Sequence, residues 1–134
     1  MKHIAGDAIA ARAMTQIGTG FRLHGRTPGI ALDCVGLVAY AIGVGQVTQC
    51  YSLRGAKLKF ILSYMDSIGL YVSVPFDCIG NGDVAIVACS SHQFHLMVRA
   101  ADGWVHGHAG IRKVVHTPGA SPWPIVAVRR MIGD

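Results

Sequence analysis

The chain is short of charge: of 134 residues, 12 are Lys or Arg and 7 are Asp or Glu, 14% in all, while 51% are hydrophobic. A sequence this apolar and this weakly charged is not that of a segment that stays unfolded for want of anything to bury. Long hydrophobic runs are missing too. No stretch approaches the ~18 uninterrupted apolar residues of a membrane-spanning helix, because 17 glycines help break the Ala, Val, Ile and Leu content into short pieces. Cysteine is scarce and scattered. Cys34, Cys50, Cys78 and Cys89 are too few and too irregularly spaced for a disulfide scaffold, and the last three are expected to be buried and inert. With no internal repeat or low-complexity linker, residues 1–134 read as one domain, large enough to bury one core.

The formal net charge is +5. Basicity of this kind suits an anionic partner such as nucleic acid or a bacterial wall. The basic residues form no dense run, so no nucleic-acid partner is expected, and a solvated basic surface is the simpler account. The opening MKHIAGDAIAARAM starts basic and turns alanine-rich, as a signal peptide does. Asp7 and Arg12 interrupt it and no clear cleavage site follows, so it is expected to belong to the folded domain rather than to a signal peptide.

Ile4, Ala8, Ala11 and Ile17 recur at near-helical spacing, which predicts a first helix over Ile4 to Ile17, stopped at Gly18. Gly18 to Leu32 carries too many Gly and Pro residues for a regular element and is expected to be a loop. Cys34 to Val44 is apolar on every side, the pattern of a buried helix, and Asp33 stands at its capping position. Gly55 to Ile68 is a third helical candidate. Beyond Pro75 the pattern changes to short strand-like runs: Asp83 to Ala88, Phe94 to Ala100, Gly103 to Gly107, Arg112 to His116 and Ile125 to Met131. Helices followed by a strand meander describe an α+β domain with an antiparallel sheet.

Chemistry concentrates around Asp33–Cys34–Val35–Gly36–Leu37–Val38. A thiol is nucleophilic as thiolate, and a helix N-terminus favours the anion. Gly36 would let a substrate chain approach closely, and backbone amides there could hold an oxyanion. A thiol nucleophile needs a base, and the base needs an orienting group. The segment FHLMVRAADGWVHG reads as a hairpin turning at Ala101–Asp102–Gly103. Opposed residues of an antiparallel pair share a face and have a constant number sum. A register sum of 201 sets His95 opposite His106, and 203 sets it opposite His108. Either odd register puts all three imidazoles on one face, whereas an even register separates them. A buried Cys at a helix start and histidines facing across a hairpin are the parts of a Cys-His-His site.

These residues resemble the NlpC-type cell-wall peptidases, papain-like cysteine peptidases of bacteria and phages. Gly18–Thr19–Gly20–Phe21 stands where that family has a Gly-Thr-Pro-Tyr-like loop. Asp33 to Val38 matches its Asp-Cys-Ser-Gly-Leu-Val box, Gly82–Asp83–Val84 resembles its Gly-Asp-Leu strand start, and His95 with Trp104–Val105–His106 fits its two histidines. The likeness runs over residues 4 to 131, in the order Cys, His, His. It implies a papain-like α+β fold with N-terminal helices on a C-terminal antiparallel sheet, and no cofactor. It implies a peptidase or amidase acting on peptidoglycan stem peptides, in which Cys34 attacks, His95 moves the proton and His106 orients His95. His108 is held in reserve for that third role and is otherwise counted among the substrate-binding residues. Phe21, Asp33, Val35 and Gly36 would meet substrate through the two family motifs. Arg22 and His24, with Arg26, sit in the loop ahead of Cys34 where they could face the carboxylates of an acidic stem. Phe21 lacks the hydroxyl of the usual tyrosine, and Val35 replaces the usual serine. The short single-domain form also resembles phage and prophage versions. It implies phage tail proteins as partners, and a location in the phage particle, or in the cytoplasm before release, with action on the cell wall.

Three other readings stand beside this one. Cys89, His92 and His95 have a Cys-x2-His-x2-His spacing that zinc would accept. A tail or assembly protein could keep the fold without catalysis. An acyl-Cys34 could pass its acyl group to an acceptor other than water.

Overall fold

Asp33 adopts an extended conformation and its carboxylate accepts from the Gly36 amide at 2.8 Å, which starts the central helix α2, Cys34–Ile42. Gly43, at φ +79°, ends α2 in the left-handed conformation that glycine adopts without a Cβ penalty. The computed structural model describes residues 6–44, 57–91 and 93–131. Every residue of α2 except Tyr40 is buried, as its all-round apolar sequence requires. Helix α1, Gly6–Met14, lays Ile9, Ala10 and Ala13 toward the core, and the small alanines suit a close helix-to-helix approach. Arg12 ties the two helices together, donating from Nε to the Tyr40 carbonyl at 3.0 Å and stacking over the Tyr40 ring. Helix α3, Leu58–Ser67, buries Ile61, Tyr64 and Met65. The expected first and third helices begin in residues outside those described; the first ends at Met14, three residues earlier than expected, and the third at Ser67, one residue earlier.

Among the described residues nine strands form one sheet. They are β1 (Gly20–Phe21), β2 (Arg26–Thr27), β3 (Ala31–Leu32), β4 (Val72–Ser73), β5 (Val84–Ser90), β6 (Gln93–Ala100), β7 (Gly103–His108), β8 (Lys113–Pro118) and β9 (Ile125–Arg130). Their order is β2-β3-β1-β8-β7-β6-β5-β9-β4. Five of these strands fall on the five expected runs with ends shifted by one or two residues. One expectation needs correcting: the glycine-rich stretch is not plain loop, because it folds into β1, β2 and β3. The C-terminal strands β5 to β9 pair antiparallel, as expected, and within the glycine-rich stretch β3 returns beside β1 in the parallel sense, Gly20 against Ala31 and Phe21 against Leu32. Strand β4, two residues long, carried no periodic signal.

The period of two sorts side chains onto the two faces. Val84, Ile86, Leu96, Val98, Ala100, Val105 and Val114 join the helices in the larger core. Ala85, Val87, Met97, Trp104 and Val128 form a second cluster on the other face with Val74. Each such fully buried Val, Leu or Met contributes roughly 1.5–3 kcal/mol. His95 and His106 have the parity of this second face. Cys78, expected to be buried, is exposed: it closes a short 3-10 turn, Phe76–Cys78, that runs over the surface after Pro75 and buries no residue. Cys89 is half-buried rather than enclosed, since it stands at the bulge between Ala88 and Ser90. Cys50 lies outside the described residues.

Candidate active site

Strands β6 and β7 pair at Val98 with Val105, Arg99 with Trp104 and Ala100 with Gly103, a register sum of 203. This is one of the two odd registers, so His95, His106 and His108 share parity. Toward the histidine end the partners divide. Strand β6 stays on β5, with His95 opposite Val87, while β7 stays on β8 down to His108 opposite Lys113. The His95 ring fills the opening. Its Nε2 lies 3.0 Å from the Gly107 carbonyl, and His106 Nδ1 lies 3.1 Å from the same oxygen.

A carbonyl only accepts, so both ring nitrogens carry protons. In the neutral ring His95 Nδ1 is then the free base, and His106 Nε2 is an acceptor, satisfied by the Thr117 hydroxyl at 2.8 Å. His95 and His106 meet edge to face with ring centroids 5.8 Å apart. Both are buried, at 7% and 1% exposure. Burial, followed by the neighbouring His106, pushes the His95 pKa down to about 4, against the pull of the Gly107 carbonyl and of Asp33. Burial lowers His106 as well.

Cys34 is the first residue of α2 and is buried. The amide of Leu96, the residue after His95, hydrogen-bonds to its sulfur. Burial pushes the thiol up to about 12; the Leu96 amide and Arg26 oppose that rise and Asp33 adds to it. At rest the thiol and the imidazole are thus both neutral rather than ionised.

Asp33 holds the approach to Cys34. Besides capping α2, its carboxylate accepts from the His24 amide at 3.0 Å and pairs with the Arg26 guanidinium. Arg26 Nη1 also donates to the Gly25 carbonyl, while its Nε and Nη2 are buried without a partner. Val35 is 1% exposed and belongs to the core. Gly36 is packed by the chain itself: a Cβ there would strike the Gly25 carbonyl, so its missing side chain makes room for the 22–25 turn. Any contact of Val35 or Gly36 with substrate therefore passes through backbone.

Phe21 sets its ring edge toward His95, with centroids 6.0 Å apart, and covers Gly107, where a Cβ would collide with that ring. Arg22 and His24 are exposed on the turn beside it. His108 is exposed, and its Nδ1 accepts from the Ile111 amide at 3.2 Å; the structure brings His106, not His108, against His95.

Trp123, which the sequence marks only as an aromatic of the core or of a cleft wall, sets its ring 5.7 Å from His95 and 5.4 Å from His106 by centroids. Sequence reasoning missed Thr117 and the Gly107 carbonyl. Gly107 stood out only as a small residue beside a histidine, and nothing in the spacing marks Trp123 or Thr117. Among the described residues no group of three His, Cys, Asp or Glu side chains is placed to hold a metal ion. The Cys89, His92 and His95 set includes His92, outside the described residues.

No protein-family model matches the sequence, and no curated protein is detectably similar to it. Solved structures are similar. The NlpC/p60 domain of the peptidoglycan hydrolase SagA superposes with a TM-score of 0.68 at 18% identity, over 96% of this chain and 100% of that one. The peptidoglycan hydrolase RipB from Mycobacterium tuberculosis gives 0.59 at 21% identity, over 96% of this chain and 65% of RipB. NlpC2 from Trichomonas vaginalis gives 0.68 at 17% identity; NlpC1 from the same organism gives 0.65. The chain spans 46% of NlpC2 and 44% of NlpC1, less than half the length of either. With its central helix starting at Cys34 and its sheet opening at His95, the chain has the papain-like α+β fold of NlpC/p60 domains.

Proposed function

We propose that this protein is a cysteine peptidase or amidase that hydrolyses amide bonds in peptidoglycan stem peptides through Cys34, His95 and His106. The observation that carries the reading is the His95 tautomer. With Nε2–H committed to Gly107, Nδ1 is left as a base, and the Cys34 sulfur rests on the amide of the next residue. His95 takes the thiol proton as the sulfur attacks the amide carbonyl carbon, then gives it to the departing amine. Water, deprotonated by His95, resolves the thioester, releasing the acid and restoring the thiol. The Gly36 and Leu37 amides are occupied by the Asp33 carboxylate and carbonyl. Those of Cys34 and Val35 remain at this helix end to meet the oxyanion.

The substrate class rests on the fold shared with the peptidoglycan hydrolases SagA and RipB and on the resemblance of Asp33 to Val38. Mass spectrometry of muropeptides released from purified cell walls tests it. The expected result is new stem fragments with the native protein and none with Cys34→Ala. Equal release by both would defeat the thiol mechanism, and no release from walls of any stem chemistry would favour a non-catalytic assembly role. The phage setting is carried by the resemblance, and co-purification with tail particles tests it.

A further inference from the structure

The described carboxylates are unevenly placed. Asp83 pairs with Arg130 and Asp66 with Arg129, while Asp7 bonds Asn81. These, with Asp77 and the turn residue Asp102, gather where β5 begins and β6 ends. The opposite end of the sheet carries Cys34, the 22–25 turn and the 108–113 loop. Its one described carboxylate, Asp33, is buried and already paired with Arg26. The turn and the loop are held side by side by the pairing of Gly20 with Lys113 and by the Phe21 amide bonding the Arg112 carbonyl at 2.9 Å. Arg22, His24, His108, Arg112 and Lys113 are all exposed there, and no described carboxylate pairs with them. Two aliphatic side chains stand among them in water, Leu23 at 73% and Ile111 at 57% exposure.

We propose that this end of the molecule docks on an anionic lipid surface, with Leu23 and Ile111 entering the acyl boundary and Arg112 and Lys113 in the headgroup layer. Unpaired cations alone would suit any polyanion. Exposed aliphatic tips between them gain from leaving water, and an interface with both an apolar interior and negative headgroups satisfies the two together. The sign of the charge gradient orients the protein, since the carboxylate-bearing end is repelled and the Cys34 end is drawn in. Docking in this pose would confine the cleft to substrate lying next to the membrane. The proposal does not depend on the peptidase reading, because binding is measured without turnover.

Flotation of the full chain with phosphatidylcholine vesicles, with and without phosphatidylglycerol, tests it, alongside binding to soluble polyphosphate. The expected result is binding to the phosphatidylglycerol vesicles and none to the neutral ones. The Leu23→Ser/Ile111→Ser variant should lose at least about tenfold in vesicle partition and keep its polyphosphate binding. The Arg112→Ser/Lys113→Ser variant should lose both. An unchanged thermal midpoint shows that these surface variants are folded. Vesicle binding by Leu23→Ser/Ile111→Ser equal to that of the native chain would overturn the proposal. So would polyphosphate binding without vesicle binding, which would mark a surface for a soluble or wall polyanion.

Discussion

His95 donates from Nε2 to the backbone carbonyl of Gly107 at 3.0 Å, across the opening where β6 and β7 part. The orienting bond of the candidate base therefore comes from backbone, and His106 contributes by bonding the same oxygen and walling the ring. Backbone cannot rotate away, so this bond sets the tautomer as long as the sheet is folded.

The pH response of His95 follows from its burial. Burial moves the protonation of this side chain from pH 6.5 in the unfolded chain to about 4 in the folded one. Between those values the unfolded state binds more protons, so stability falls as pH drops through that window, by on the order of 3 kcal/mol when the window is crossed. Urea unfolding across this range should show the fall, and His95→Gln should flatten it. The acid limb of kcat/KM should lie near pH 4 instead of near 6.5, because the neutral ring is the base; a limb at 6.5 would contradict the assignment.

Gly107→Ala should cost roughly 1–3 kcal/mol, because the new Cβ collides with the Phe21 ring and the surroundings are packed. Phe21→Leu in the same chain should recover part of that loss. Chemical unfolding of the two single variants and the double variant measures the coupling, and additive effects would show that the ring does not set the glycine requirement.

Asp33→Ala should destabilise by about 3 kcal/mol or more, since it strips the α2 cap and leaves the largely buried Arg26 guanidinium without its counter-ion. Asp33→Ala/Arg26→Met removes the stranded charge and should regain part of the loss. If the double variant were less stable than Asp33→Ala alone, Arg26 would have to be held by something other than Asp33.

Local features were the legible ones. Asp33 ahead of an apolar run marked a cap, and Cys34 is indeed the first residue of a buried helix, because capping and amphipathicity act within one or two turns of chain. The hairpin at Ala101–Asp102–Gly103 was equally readable, and so was the common face of His106 and His108 from the period of a strand; that His95 joins them depended on the register, which the sequence left open. The three short strands in the glycine-rich stretch were not, since each is two residues long and exists by pairing with a neighbour. Trp123 and Thr117 reach the histidines from other strands and loops, and no spacing rule connects them. Cys78 was misplaced because an apolar neighbourhood in sequence does not tell which side of a turn meets water.

The sequence by itself determined the order of the helices and of the five later strands, the capped helix beginning at Cys34, and a hairpin with histidines on both of its strands. Each follows from propensity and periodicity within a few residues. Tertiary structure alone decided that β6 and β7 separate at their histidine end and that the Gly107 carbonyl fills the resulting hydrogen-bonding need. It also decided that His106 rather than His108 stands against His95. Those outcomes depend on which neighbouring strand each backbone group pairs with, a competition settled by the whole sheet and not by any local run of residues.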